Sequence, residues 1–163
     1  MRDSNIFLEL EKLSKEKVLI MDGPMGTMVQ KYKLEELDFR GDRFRDSKID
    51  LKGNNEILNI TKPNVVKEIH KSYILSGADI IETNTFGATS IAQSDYQLED
   101  FVAEMNKCSV EIVKEAIEEA SMNADIGRVF IAGAMGPTNR TASISPDVED
   151  PGMRNITFDF FVV

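Results

Sequence analysis

Three short apolar runs, each ending in glycine and small polar residues, alternate with segments of helical periodicity. That alternation limits the possible folds more than any other feature of the chain. Val18-Leu19-Ile20-Met21 runs into Asp22-Gly23-Pro24-Met25-Gly26-Thr27, and Asp79-Ile80-Ile81 runs into Glu82-Thr83-Asn84-Thr85. The segment from Arg128 to Ala134 ends at Gly136-Pro137-Thr138-Asn139. Runs that are nearly continuous rather than alternating in polarity suit parallel strands covered on both faces. Strands that alternate with helices imply an α/β fold.

The intervening segments supply the helices. Ile6, Leu10 and Leu13 fall at helical spacing within Asn5 to Glu16, with Ser4 as a cap. The first strand, 18–21, reads as buried, and a short helix follows over 27–33. From Leu34 to Ile60, dense charge, Gly41, Gly53 and Asn54-Asn55 break periodicity, which predicts a long excursion with little regular structure. Such loops often act as lids or binding loops. Pro63 suits the start of a helix that places Val66, Ile69 and Tyr73 on one face and stops at Gly77. A long helix is predicted over 98–122, with Leu98, Phe101, Val102, Met105, Ile112, Val113, Ala116, Ile117 and Ala120 on its apolar side. Cys108 falls on that side as a small core residue, whereas His70 reads as a surface or edge histidine. A further irregular stretch extends to Asn155, and Phe158 to Val163 begins another element.

At 163 residues the chain is long enough for one domain with a core. Its formal net charge of −9 disfavours nucleic acid as a partner, because phosphate binding needs a basic face. No polybasic segment suits a membrane surface, and no run approaches the ~18 apolar residues of a membrane span. Met1 to Lys17 lacks the apolar stretch of a secretory signal, so the expected location is cytoplasmic. A single cysteine, Cys108, makes neither a disulfide framework nor a cysteine-rich metal site.

In parallel α/β folds, ligands bind beyond the C-terminal ends of the strands, so the three polar strand ends are expected to converge. Asp22 and Glu82 are two carboxylates able to grip an ammonium group. Gly23 and Gly26 permit close backbone approach. Backbone N–H groups at the start of the helix after Gly26 can hold a carboxylate. Ammonium plus carboxylate describes a free α-amino acid. Each feature also has a plainer reading: the glycine-rich turn as only a turn, and Asp22 as a helix cap. No Gly-Lys-Ser/Thr follows, so the turn is not a nucleotide-binding loop. Glu82 is harder to explain structurally, because an acid directly after Ile80-Ile81 is costly in a strand unless paired or functional.

The loops themselves are recognisable. Asp-Gly-Pro-Met-Gly-Thr-Met at 22–28 resembles the first loop of cobalamin-dependent methionine synthases. The same family is matched by Asp-Phe-Arg-Gly-Asp-Arg-Phe at 38–44, Leu-Lys-Gly-Asn-Asn at 51–55 and Gly-Ala-Asp-Ile-Ile-Glu-Thr-Asn-Thr-Phe at 77–86. The most specific piece is Gly-Pro-Thr-Asn-Arg-Thr-Ala-Ser-Ile-Ser-Pro-Asp-Val at 136–148, continued by Arg154 to Asp159. Phe160 to Val163 are the first departure.

The resemblance implies the N-terminal portion, about three βα units, of a (β/α)₈ TIM barrel, with residues 1–163 forming a partial homocysteine-binding domain. It implies transfer of a methyl group from methylcobalamin, recharged by methyltetrahydrofolate, to zinc-bound homocysteine, giving methionine. It places Asp22 and Glu82 at the substrate amino group, with Gly23, Gly26, Thr27 and Asn84 around them. It also implies that the three zinc cysteines lie beyond Val163. The expected partners are then homocysteine, the remaining barrel strands, and the folate and cobalamin domains. No catalytic or metal-binding residue is expected in this chain, neither zinc nor cobalamin is expected to bind it alone, and it is expected to be inactive by itself. Two alternatives stand beside this one: half of a split homocysteine methyltransferase, and a non-catalytic small-molecule binding module.

Overall fold

A computed structural model describes residues 5–157 and 159. Helix α1 spans Asn5–Glu16, as its periodicity predicts, but none of its residues is buried. The segment after it departs from expectation. Residues 18–21 make a single parallel bridge, Met21 with Ile80, rather than a strand. Val18 and Ile20 are exposed, at 86% and 57%. The physical reason is one-sided support. The Ile20 carbonyl accepts from the amides of Asp79 and Ile80 and the Asp22 amide donates to the Ile80 carbonyl, so the backbone is held on one edge while the side chains lack cover.

Helix α2 (Met25–Gln30) is followed by the stretch predicted to be irregular. That prediction is corrected by α3 (Glu36–Arg40), a 3₁₀ turn at Asn55–Ile57 and α4 (Leu58–Thr61). Between them the chain has no repeating backbone pattern, yet it is tightly organised by one ion pair. Arg40 donates to Glu36 at 2.5 Å, to the carbonyls of Arg45, Ser47 and Ile49, and to Asp50. Glu36 in turn accepts the amides of Leu51 and Lys52. This stretch contributes Phe39, Phe44, Leu51, Ile57 and Leu58 to the larger core cluster, where they meet Val66, Ile69, Met105 and Ile112.

Helix α5 (Pro63–Leu75) starts on its proline. It ends where Gly77 takes φ +98° and the Ala78 amide reaches back to the Tyr73 carbonyl, a left-handed turn that favours glycine. His70 lies in this helix fully buried, not at the surface. Strand β1 (Ile80–Glu82) pairs in parallel with β2 (Phe130–Ala132), Ile81 opposite Ile131. Between them come α6 (Ser90–Gln93), two 3₁₀ turns and α7 (Val102–Asn123), which is the predicted long helix with its first turn tightened to 3₁₀ over Glu99–Phe101. A second core cluster packs Ile81 against Ile74, Ala78, Val113, Ala116 and Ala120. Helices α5 and α7 are further joined by Lys67 and Lys71 to Glu119 at 2.7 and 3.1 Å. Cys108 is half-buried rather than in the core. The predicted element at 158–163 lies largely outside the described residues.

Candidate amino-acid site

The parallel pairing brings the loops after residue 21, β1 and β2 to one end of the sheet. Asp22 and Glu82 meet there: the Glu82 amide donates to Asp22 Oδ2 at 3.2 Å. Asp22 does not cap α2, whose N-cap is Pro24, a residue without a side-chain hydrogen bond to offer the first amides. The other oxygen, Asp22 Oδ1, is buried and has no hydrogen-bond partner among the described residues. Burial, reinforced by the Glu82 charge and opposed by the Glu82 amide, pushes the Asp22 carboxyl up to about 6. Glu82 itself is exposed at the strand end, so the penalty expected for a buried acid does not arise, and its charge is close enough to act on Asp22.

The glycines have neighbours that explain them. A Cβ on Gly23 would stand 2.9 Å from the Tyr73 ring and hydroxyl, and one on Gly26 would stand 3.3 Å from Asn55 Nδ2. Thr27 is exposed on the first turn of α2. Asn84 is placed differently from the other five. It is buried, and its amide donates to the Asn55 carbonyl at 2.8 Å and to Asn59 Oδ1 at 2.9 Å. Asn59 returns a hydrogen bond to the Asn84 carbonyl at 2.8 Å, and Ser109 on α7 accepts the Asn84 amide N–H. Asn84 therefore ties the end of β1 to the helices behind it.

The β1 and β2 ends are stitched together by hydroxyls. Thr85 donates to the Ala134 carbonyl at 2.7 Å, so its 2.7 Å contact with Thr83 must be a bond that Thr83 donates. Thr83 accepts the Ala134 amide at 3.1 Å. The irregular stretch after β2 is anchored by Asp95, which accepts from Asn139 and Arg140 at 2.5 and 2.9 Å. Tyr73, Asn55, Asn59 and Glu56, which accepts the Gly87 amide at 2.9 Å, were not singled out as site residues by sequence reasoning. Their signal was weak because each sits on an element other than the three strand ends. Among the described residues, no three His, Cys, Asp or Glu side chains stand together as a metal site, and no helix is long and apolar enough to cross a membrane.

A parallel ladder with helices behind it and polar loops at one end defines an α/β fold with its candidate site beyond the strand ends. It is similar to the crystal structures of the homocysteine methyltransferase MmuM from Escherichia coli, with a TM-score of 0.61 to both the metallated form, at 21% identity, and the oxidized form, at 22%. The match covers 78% of this chain but only 41% and 40% of those chains. At that identity the likeness is one of fold. The family model for homocysteine S-methyltransferase matches residues 19–162. The chain belongs to the homocysteine S-methyltransferase family.

Proposed function

We propose that residues 1–163 form the N-terminal part of the homocysteine-binding barrel of a cobalamin-dependent methionine synthase. Family membership supports methyl transfer to homocysteine as the chemistry; the loop motifs at 38–44, 51–55 and 136–148 support the cobalamin-dependent branch. The observation that carries the site assignment is Asp22 Oδ1, a buried acceptor with no donor among the described residues, on a carboxyl whose other oxygen meets the Glu82 amide. An ammonium group supplies three donors and a positive charge. Gly23, Gly26 and Thr27 frame the ligand, and the first amides of α2 suit its carboxylate, while Asn84 fixes the strand end from behind. In the complete family enzyme, zinc favours the thiolate form of homocysteine. The residues described here do not make up a zinc site, and their part is to bind and orient the amino acid. The zinc ligands and the folate and cobalamin domains, in this reading, lie outside residues 1–163, and the chain alone is inactive.

Calorimetric titration of L-homocysteine, under reducing conditions, into the chain and into Asp22→Asn tests the assignment. Losing a charge-assisted hydrogen bond weakens binding about tenfold or more. Equal affinities would remove Asp22 from the amino-group role. A second reading, half of a split homocysteine methyltransferase, is favoured by the exposed Val18 and Ile20 beside β1. Co-purification of a polypeptide bearing the remaining strands would support it, and a monomeric chain in its native extract would oppose it.

A further inference from the structure

We propose that Tyr73 is a positioning residue for the amino-acid site: its ring is the stop against which the Asp22–Gly23–Pro24 turn rests, holding the Asp22 carboxyl against the Glu82 amide. The inference rests on the amino-acid reading of that site and assigns a role outside the three strand ends. Four features of Tyr73 support it. Its ring and hydroxyl fill the space where a Gly23 side chain would begin, 2.9 Å from an ideal Cβ. Its hydroxyl donates to the Pro24 carbonyl at 3.4 Å, the far side of the same turn. The Asp22 charge, added to burial, raises the Tyr73 phenol above its ordinary range, so the two side chains sense each other. Tyr73 is also packed against both core clusters, which connects the turn to the hydrophobic interior through one side chain.

The arrangement explains why position 23 is glycine without appeal to backbone strain. Any side chain there would meet an aromatic ring that is itself fixed by two cores, so the turn would have to move and carry Asp22 with it. A displacement of that kind changes ligand affinity more than it changes overall stability.

The test combines a mutant cycle with a spectroscopic reading. Gly23→Ala, Tyr73→Leu, the double variant and the conservative Tyr73→Phe are titrated with L-homocysteine, and the Asp22 carboxyl is followed by carbon-13 NMR against pH. Gly23→Ala is expected to weaken binding about tenfold, and Tyr73→Leu in the same chain to restore part of that loss, because the obstacle is gone. Tyr73→Leu alone admits water to Asp22, and its carboxyl titration falls from near 6 toward the ordinary carboxylate range, whereas Tyr73→Phe leaves it nearly unchanged. Additive effects of Gly23→Ala and Tyr73→Leu, or an Asp22 titration indifferent to Tyr73→Leu, would overturn the assignment. If the unaltered chain binds no L-homocysteine, the amino-acid reading of the site fails, while the Asp22 titration still decides the positioning role.

Discussion

Replacing His70 tests the energetics of this fold most directly. The imidazole is fully buried, and neither ring nitrogen has a hydrogen-bond partner among the described residues. Burial pushes its pKa down from 6.5 to about 4. The unfolded chain therefore takes up a proton at His70 as the pH falls below about 6.5, while the folded chain resists, so acidification favours unfolding. Between pH 7 and 5 this difference removes about 2 kcal/mol of stability. Asp22 acts in the opposite sense. Its folded pKa near 6 lies above its ordinary 3.8, so the folded state takes up the proton first, and the same acidification returns some stability, less than about 1 kcal/mol for a carboxyl partly screened by solvent. The two effects oppose each other in the unaltered chain and separate in variants. Carboxylates held low by partners, such as Glu36, Asp38 and Asp79, lose their contribution as the pH falls through their ordinary values of 4.5 and 3.8, below this window. Urea unfolding followed by circular dichroism at pH 7, 6 and 5 is the assay. Asp22→Asn is expected to lose about 2 kcal/mol across that range, and Asp22→Asn/His70→Leu to stay flat. His70→Leu should also be more stable at pH 7, because it removes an unpaired buried polar group. Parallel pH profiles for the single and double variants would refute the reasoning.

Other consequences follow from particular contacts. Arg40→Met removes the donors that gather the carbonyls of residues 45–49; a loss of about 2 kcal/mol and faster hydrogen exchange at Leu51 and Lys52 are expected, and unchanged exchange would mean the stretch holds itself. Asn59→Ala leaves the buried Asn84 amide short of one acceptor and the Asn84 carbonyl short of a donor. It should cost about 2–3 kcal/mol in thermal unfolding. Ile81→Ala opens a cavity between α5 and α7 and should cost about 2–4 kcal/mol, with a near-neutral result implying that the sheet does not pack on those helices.

Local rules made much of the chain legible. Pro63 and Gly77 bounded α5, and the apolar stripe from Met105 to Ala120 fixed α7, because caps and amphipathic periodicity act within a few residues. The glycine-rich and acidic strand ends identified the candidate site in the same way. Less could be read where side chains are spent on distant partners. The dense charge of residues 34–60 read as a sign of irregularity, yet within it the Glu36–Arg40 pair orders a stretch without repeating backbone. His70 looked polar and hence exposed, but tertiary packing buries it.

The sequence by itself determined α1, α5, most of α7, the strands after Asp79 and Arg128, and the residue types offered at each strand end, since these follow from short-range propensity and polarity. Only the tertiary structure decided which of those residues meet. The parallel register that sets Met21 and Phe130 beside Ile80 also sets Asp22 beside Glu82, across sixty positions of chain. Burial then strips water from one Asp22 oxygen and seats Gly23 on Tyr73. Desolvation and contact depend on what surrounds a group in three dimensions, so no spacing along the chain encodes them.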